Sequence, residues 1–215
     1  MTRLFLLLVL VLAGTGADAR TRERERAAEA GRFDYYVLTL SWSPAYCERR
    51  PEDRQQCGAQ RHGLVLHGLW PQYAGGGYPA DCAAPVPLTE DARRFGMTVF
   101  PSEKLVAHQW RKHGACTGMD PKTYFRIADE ARDAIRIPPE LEPGTRTRET
   151  TARDIARALR DHNPRITQRG LAVVCSGPEF SELRICLTKD LQPTACGRGV
   201  RDACRQGPVR VRGAR

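Results

Sequence analysis

The sequence predicts a single α+β domain that is stapled by disulfide bonds. Strand-like segments come early and late in the chain, helix-like segments lie between them, and eight cysteines are spread over 215 residues. Strands that are grouped apart from helices are typical of α+β folds rather than of alternating α/β folds. The length suits one sizeable domain, and no internal repeat or domain-scale linker divides it.

Composition and charge narrow the class of protein. The chain is 41% hydrophobic and 27% charged, so it can bury a core, which excludes a wholly disordered chain, a collagen-like chain and a coiled coil. Lysine and arginine exceed the acidic residues by enough to give a formal net charge of +9. Such a charge favours an anionic partner, which could be nucleic acid, a membrane surface or a polyanionic sugar.

The first residues predict export. Arg3 precedes an unbroken apolar run at 4–13, and the small-residue site ADA follows at 17–19. This is the pattern of a signal peptide at 1–19 that is cleaved near Ala19, and it implies a secreted or periplasmic protein with no membrane span in the mature chain. In an oxidising compartment the cysteines indicate disulfide bonds, and the sequence has no Cys-x-x-Cys pair that would favour zinc.

The two ends of the exported chain are predicted to lie outside the folded domain. Residues 20–31 are polar and alternately charged, so we expect a flexible leader. Residues 205–215 contain four arginines, no acidic residue and no apolar periodicity. We therefore expect them to form a solvated basic tail.

Aromatic and β-branched residues predict the first strand at 33–42, with the sequence FDYYVLTLSW. A cysteine-bearing loop at 44–60 follows, and then a second, buried strand at 63–69 that is ended by Pro71. Residues 72–87 hold three consecutive glycines and several prolines, which predicts another loop.

Helices are predicted in the middle of the chain. Thr89 can cap a short helix, and Ser102 can cap the next one, with Gly114 placed to end it. Asp120, which precedes a proline, starts a third helix with an apolar stripe, and residues 151–161 form an amphipathic fourth. Two late strands complete the pattern, at 171–175 and 183–187.

The first segment that could carry chemistry is HGLWPQY at 67–73. His67 is predicted to end an apolar strand, and Gly68 follows it directly, so the imidazole can face a cleft rather than the core. The isolated His62 and His162 have no comparable neighbours in sequence and are interpreted as ordinary surface or satisfied imidazoles.

The second such segment is HQWRKHGAC at 108–116. On a helix, Gln109, Lys112 and His113 stand three and four residues apart and share one face. An amide donor, a cation and an imidazole therefore converge within one turn. Trp110 points away from that face, and we expect it in the core.

Two imidazoles and a lysine suit transphosphorylation of RNA without a metal ion. One histidine can take a proton from the ribose 2′-hydroxyl while the other protonates the leaving 5′-oxygen. A lysine and an amide can stabilise the negatively charged phosphorane. Because histidine has an unperturbed pKa of about 6.5, one ring can start neutral and the other charged near neutral pH.

These two segments, in this order, resemble the two active-site signatures of the ribonuclease T2 family. The resemblance spans roughly the exported chain up to Cys204, including WSPAYC at 42–47 and SELRICLTKD at 181–190. It implies an α+β fold with a central antiparallel sheet flanked by helices, in a catalytic domain at 32–204. It also implies a secreted endoribonuclease that needs no metal or cofactor and cleaves single-stranded RNA with little base specificity through a 2′,3′-cyclic phosphate.

Carried over residue by residue, the resemblance gives roles to the charged and imidazole side chains. His113 would be the base of the first step, and His67 would be the acid. Lys112 would stabilise the transition state, and His108 would help to hold the phosphate.

The resemblance also gives a base-binding role to aromatic residues that follow the first histidine. Trp70 would stack on a base, an interaction that tolerates any sequence because every base has a π-face. The alternative for Trp70 is a core aromatic. Tyr73 and Tyr78 would line the same base site, with a weaker assignment than that of Trp70.

Gln109 departs from the family pattern, in which glutamate is common at this position. Glutamine cannot titrate, but it can still donate a hydrogen bond to a phosphoryl oxygen, so we expect Gln109 to take part in catalysis and activity to survive. Losing one such interaction costs on the order of 1–3 kcal/mol. The alternative is a catalytically weak or inactive secreted protein that binds RNA.

The cysteines fit the same family, although spacing alone does not choose among their possible pairings. One implied disulfide ties the loop after the first histidine segment to the end of the second. Two more are nested near the end of the chain. The pairs that the resemblance implies are Cys82–Cys116, Cys175–Cys204, Cys186–Cys196 and, as the remainder, Cys47–Cys57.

Two further classes of protein compete with this interpretation. A metal-dependent nuclease needs aspartate, glutamate and histidine clustered around its ion, and neither histidine segment contains a carboxylate. A purely structural protein would tolerate replacement of His67 and His113. We expect single-stranded RNA as the partner and a monomeric chain, while base preference is not fixed by either segment.

Overall fold

The computed structural model describes residues 29–58, 61–83 and 86–214, and these ranges contain six strands, six α-helices and three short 3-10 turns. The predicted signal peptide and all but the last three residues of the predicted leader lie outside the described residues. The prediction of a single α+β domain is confirmed. Within the described ranges, no helix has both the length and the apolar character that a membrane crossing requires.

The strands form one six-stranded sheet in the order β2-β1-β5-β6-β3, with β4 also pairing with β5. All pairings are antiparallel except that of β5 with β6, which is parallel, so the sheet is mixed rather than wholly antiparallel as expected. The strands are β1 (Tyr35–Trp42), β2 (Leu64–Gln72), β3 (Arg148–Thr150), β4 (Leu171–Ser176), β5 (Glu179–Leu187) and β6 (Val209–Val211).

Three residues that were predicted to begin helices, one of them predicted as a cap, have capping side chains. The side chains of Thr89, Asp120 and Thr151 each accept a hydrogen bond from a backbone N–H in the first turn of the following helix. Ser102 also precedes a helix, but its side chain makes no capping hydrogen bond. The α-helices are α1 (Ser43–Arg49), α2 (Arg54–Cys57), α3 (Glu90–Val99), α4 (Glu103–Lys112), α5 (Pro121–Asp133) and α6 (Ala152–His162).

Side chains alternate along a strand, so the two faces of the sheet have different surroundings. On β1, the side chains of Tyr36, Leu38, Leu40 and Trp42 are buried in the main core, where the helices also pack. The opposite face carries a smaller apolar cluster and several small polar side chains. We call this second surface the site face; its cluster consists of Tyr35, Val37 and Cys186, with Trp70, Cys196 and Val200 packed against it.

Two segments that were expected to be irregular contain regular structure. The predicted loop at 44–60 holds α1, which begins with a proline in its first turn, and α2, which is capped by Asp53. The second strand continues past its predicted end through Pro71 to Gln72. Short helices of four to seven residues leave too little apolar periodicity to be recognised in a sequence.

The prediction of a solvated tail at 205–215 is wrong for its second half. Strand β6 pairs with β3, and its two valines, Val209 and Val211, are buried while Arg210 between them is exposed. Ala214 is also buried. An alternation over only three residues cannot be distinguished from chance in an arginine-rich segment, and the strand is fixed by its distant partner.

Four disulfide bonds link all eight cysteines. They are the four pairs that the family resemblance implies. The bond between Cys82 and Cys116 closes a separation of 34 residues and holds the segment after β2 against the end of the second histidine segment. Two strands of the sheet are also tied to the long connection before β6, by Cys175–Cys204 and Cys186–Cys196.

Candidate active site

A β-bulge places the first histidine segment on the site face. In the pairing of β1 with β2, Thr39 lies opposite Gly68 and Leu40 lies opposite Leu66, so His67 is an extra residue with no partner of its own. Residues three apart on a regular strand point to opposite faces. The bulge corrects this, because it allows both His67 and Trp70 to reach the site face. His67 therefore lies within the strand rather than at its end.

Trp70 lies at the centre of the candidate site. Its ring centroid is 5.0 Å from that of His113, with the two rings stacked, and 5.2 Å from that of His67, which meets it edge-on. The indole Nε1 donates a hydrogen bond of 2.8 Å to Oε1 of Gln109. Trp70 thus brings both predicted catalytic imidazoles and the predicted amide together, and its stacking partner in this structure is His113.

Gly68 makes room for the contact between Trp70 and Gln109. A Cβ atom at this position would overlap both Oε1 of Gln109 and Nε1 of Trp70. Gln109 itself is fully buried. Because an indole N–H can only donate, the amide oxygen must face Trp70, and the amide nitrogen Nε2 has no hydrogen-bond partner among the described residues. A buried donor without a partner is uncommon in proteins and calls for a functional or structural explanation.

His113 is positioned by the end of helix α4. The helix stops at Lys112, and His113 leaves it with a φ of −126° and ψ of −48°, while its backbone N–H still donates to the carbonyl oxygen of Gln109 at 3.1 Å. Its side chain is buried, with 5% of the residue exposed. Burial lowers the pKa of His113 to about 3, with further contributions from the positive charges of His108, Lys112 and His67. The ring is therefore neutral at neutral pH.

His67 has a carboxylate partner that the sequence analysis missed. Its Nδ1 lies 3.1 Å from Oε1 of Glu182 on strand β5, across β1. The other carboxylate oxygen of Glu182 accepts hydrogen bonds from the guanidinium of Arg184 at 3.1 and 2.8 Å. Burial alone would raise the pKa of the Glu182 carboxyl, but the hydrogen bond and charge of His67, together with Arg184, outweigh it and lower the pKa. Glu182 is therefore ionised.

One signal in the sequence could have identified Glu182. The strand FSELRICL places two charged residues, Glu182 and Arg184, two positions apart within an apolar segment. Charged residues at alternate positions of a strand share one face, and a carboxylate on a half-buried face requires partners. The identity of the imidazole partner, 115 residues away, could not be read in this way.

The remaining predicted residues surround this centre at different distances. The ring centroid of His108 is 6.5 Å from that of His113, and burial lowers the pKa of His108, as do nearby positive charges. His108 also lines a cavity of about 250 Å³ together with His67 and Glu182. Lys112, which is half-buried, acts electrostatically on both His108 and His113.

The aromatic residues around the site divide into core and surface groups. Trp110 is buried in the main core and packs against Tyr124, as expected. Tyr73 is half-buried and packs against the main core. Tyr78 is 47% exposed, and its ring centroid lies 5.8 Å from that of His113. In the described ranges, no three His, Cys, Asp or Glu side chains are grouped to hold a metal ion.

Comparison with known proteins assigns the chain to a family. The family model of the Ribonuclease T2 family matches residues 33–196, which include both histidine segments and strand β5. The chain belongs to the ribonuclease T2 family. The family match thus covers the bulge at His67, the end of helix α4 and the carboxylate on β5.

The chain resembles ribonucleases of several bacteria, two of which show the extent of the similarity. It is 42% identical over 118 residues to a ribonuclease of Aeromonas hydrophila, a match that covers 55% of this chain and 54% of that protein. It is 30% identical over 178 residues to a probable ribonuclease of Haemophilus influenzae, covering 76% of this chain and 61% of the relative. The matches thus span between half and two thirds of the relatives' length.

A solved structure has the same fold as this chain. The RNase-related protein from Calystegia sepium superimposes with a TM-score of 0.65 at 20% sequence identity, over 82% of this chain and 96% of that one. At this level of identity the likeness concerns the fold alone.

The buried neutral ring of His113 predicts that acid weakens folding. Its pKa is about 3 in the folded protein against 6.5 for the free side chain, so the unfolded state binds protons more readily. The contribution of His113 to stability is complete above about pH 6.5 and is lost as pH falls toward 3. We expect the free energy of unfolding to fall by about 2 kcal/mol more between about pH 7 and pH 5 in the natural protein than in His113→Phe.

Chemical denaturation at both pH values measures this difference. Phenylalanine keeps a ring that can stack on Trp70 but cannot bind a proton, so it isolates the titration from the packing. Equal pH dependence in the two proteins would contradict a buried, neutral His113.

Proposed function

We propose that this chain is an endoribonuclease that cleaves single-stranded RNA without a metal ion or cofactor, with little base specificity, through a 2′,3′-cyclic phosphate. The observation that carries the proposal is the pair of unlike imidazoles on Trp70. His113 is buried and neutral, whereas His67 is bonded to an ionised carboxylate. A neutral ring can accept a proton, and the carboxylate beside His67 can orient that ring for proton transfer, as acid–base catalysis requires.

In the first step, His113 accepts the proton of the ribose 2′-hydroxyl while the 2′-oxygen attacks the phosphorus atom. The bond from phosphorus to the 5′-oxygen breaks, and protonated His67 gives its Nε2 proton to that oxygen, since Nδ1 faces Glu182. The products are a 2′,3′-cyclic phosphate and a free 5′-hydroxyl. In the second step the roles exchange, and water opens the cyclic phosphate to a 3′-phosphate.

The charge that develops on the phosphoryl group has two donors at hand. Nε2 of Gln109 is a buried amide donor without a partner in the described part of the chain. Lys112 follows on the last turn of the same helix and supplies a positive charge close to His113. Fixed donors that meet a transition-state charge lower the barrier without having to reorganise. We propose that His108 helps to hold the phosphate and that Trp70, Tyr73 and Tyr78 bind a base.

The experiment that tests this function is cleavage of a defined single-stranded RNA by oxidised protein in EDTA, beside His113→Ala, with the product ends identified. We expect 2′,3′-cyclic phosphate ends that persist in the chelator and disappear in the variant. Loss of cleavage in EDTA would instead favour a metal-dependent nuclease. Folded, oxidised protein that binds RNA but never cleaves it would favour the inactive RNA-binding alternative.

Gln109→Glu is the variant that addresses this alternative. A carboxylate at position 109 could still accept the hydrogen bond from Trp70, and its negative charge beside His113 would favour the imidazolium form of that ring. We expect activity in both proteins, with the acidic limb of the pH–rate profile of Gln109→Glu moved to higher pH. Activity found only in Gln109→Glu would mean that the natural glutamine has switched catalysis off.

The compartment and assembly of the protein are part of the proposal. Four disulfide bonds in a chain of this size are typical of proteins that fold in an oxidising environment, which supports export by the predicted signal peptide. We propose a secreted or periplasmic, monomeric enzyme. N-terminal sequencing of the mature protein checks the cleavage site near Ala19, and light scattering checks the monomer.

A further inference from the structure

We propose that Glu182 is a positioning residue that fixes the tautomer and orientation of His67, and that Arg184 holds Glu182 in place for this task. The proposal deepens the proposed function, on which its catalytic part rests. It gives the acid of the first step a partner on a strand that contains neither histidine segment.

The sheet brings the two side chains together in a specific way. Glu182 lies on β5 and His67 on β2, with β1 between them. On the site face of β1, the residues at this level are Thr39 and Ser41, and Ser41 is the register partner of Glu182. Small side chains here leave the space in which the carboxylate and the bulged imidazole meet at 3.1 Å. A large residue on β1 at this level would separate them.

The chemistry of the contact determines which nitrogen of His67 carries a proton. Glu182 is ionised, and an ionised carboxylate can only accept hydrogen bonds. Nδ1 of His67 must therefore be the donor, both in the neutral ring and in the imidazolium. Nε2 is left as the nitrogen that exchanges the proton with RNA.

Arg184 gives the carboxylate a fixed position. It binds the oxygen Oε2 through two nitrogens, so the other oxygen, Oε1, is the one that faces His67. The Cζ atom of Arg184 also lies over the Trp70 ring, 5.6 Å from its centroid. Planar guanidinium groups suit this combination of carboxylate binding and ring stacking. Arg184 thus contacts both Glu182, which is the partner of His67, and Trp70, whose ring stacks on His113.

Steady-state kinetics on Glu182→Ala and Glu182→Gln test the catalytic part. We expect kcat to fall about 10- to 100-fold in Glu182→Ala with KM nearly unchanged, because the carboxylate orients an acid–base group without touching RNA. Glu182→Gln should retain more activity, since its amide oxygen can still accept from Nδ1. A higher KM with unchanged kcat would overturn the proposal.

A matched control lies on the same strand. The side chain of Glu179 is 12% exposed, and that of Glu182 is 15% exposed. Like Glu182, Glu179 forms ion pairs with arginine, in its case Arg210 and Arg212. Glu179→Gln should lower thermal stability to a similar extent but leave kcat unchanged. If Glu179→Gln and Glu182→Gln lose kcat equally, the effect of Glu182 is on stability alone and the proposal fails.

Nitrogen-15 NMR of the histidine rings tests the positioning part without any substrate. The ring of His67, assigned by comparison with His67→Ala, should carry its proton on Nδ1 in the neutral state of the natural protein. In Glu182→Ala the population should move toward the Nε2–H tautomer. An unchanged tautomer would overturn the proposal even if kcat fell.

The two readouts separate this proposal from the proposed function. If the natural protein cleaves no RNA, the proposed function fails, but the tautomer measurement still decides whether Glu182 positions His67. If the natural protein cleaves RNA and Glu182→Ala changes neither kcat nor the tautomer, the function stands and the role of Glu182 is refuted.

Discussion

His67→Ala will lower kcat on natural RNA by about 10³-fold, and a substrate with an activated leaving group will recover most of that loss. The reason is that His67 acts on the 5′-oxygen, which is a poor leaving group unless it receives a proton. A uridine 3′-(p-nitrophenyl phosphate) releases a phenolate that needs no such proton. His113→Ala should lose activity to a similar extent on both substrates, because its proton comes from the attacking 2′-hydroxyl in each case.

The comparison of the two substrates assigns the acid and the base separately. His62→Ala is the matched control, since that histidine is half-buried away from Trp70 and should leave both rates unchanged. Recovery by the activated substrate in His113→Ala, but not in His67→Ala, would reverse the two roles. Equal losses on both substrates in both variants would mean that neither histidine protonates the leaving oxygen.

Gly68→Ala is expected to impair both activity and folding, although it adds one methyl group. The new Cβ would overlap the hydrogen-bonded atoms of Trp70 and Gln109, which are held between strand β2 and helix α4. Overpacking of this kind costs about 1–3 kcal/mol, and an unpaired buried amide adds a similar amount. Because both imidazoles contact Trp70, we expect kcat/KM to fall about 10²-fold.

Thermal melting and cleavage kinetics measure the two effects, with Gly75→Ala as the control. Gly75 follows the same histidine segment, but no heavy atom lies within 4 Å of the position that its Cβ would take. That variant should match the natural protein in both assays. Normal activity in Gly68→Ala would contradict the role given to the contact between Trp70 and Gln109.

Local features of the fold could be predicted from the sequence because their causes are local. A cap such as Thr89 or Asp120 bonds to an amide three residues away, so residue order alone identifies it. The buried strand β1 can be recognised because seven of its eight residues are aromatic, aliphatic or β-branched. The face shared by Gln109 and His113 also follows from helical spacing, although the helix ends one residue before His113.

Features that depend on long-range register could not be predicted. The bulge at His67 exists only in the pairing of β2 with β1, and no residue near it marks an extra position. The contact of Glu182 with His67 spans 115 residues, and that of Trp70 with Gln109 spans 39. Strand β6 is defined by its pairing with β3 rather than by its own pattern. In each case the partner lies far away in sequence, on a strand or helix that the tertiary fold brings near.

The disulfide between Cys82 and Cys116 affects what happens when a protease cuts the chain. It closes a covalent ring that contains helices α3 and α4, and the ring begins near exposed residues, among them Val86, that a protease could reach. A single cut inside the ring would yield two fragments, one with His67 and one with His113, that remain joined through sulfur. A nicked molecule would therefore keep both halves of its site together, and the fragments would separate only under reducing conditions.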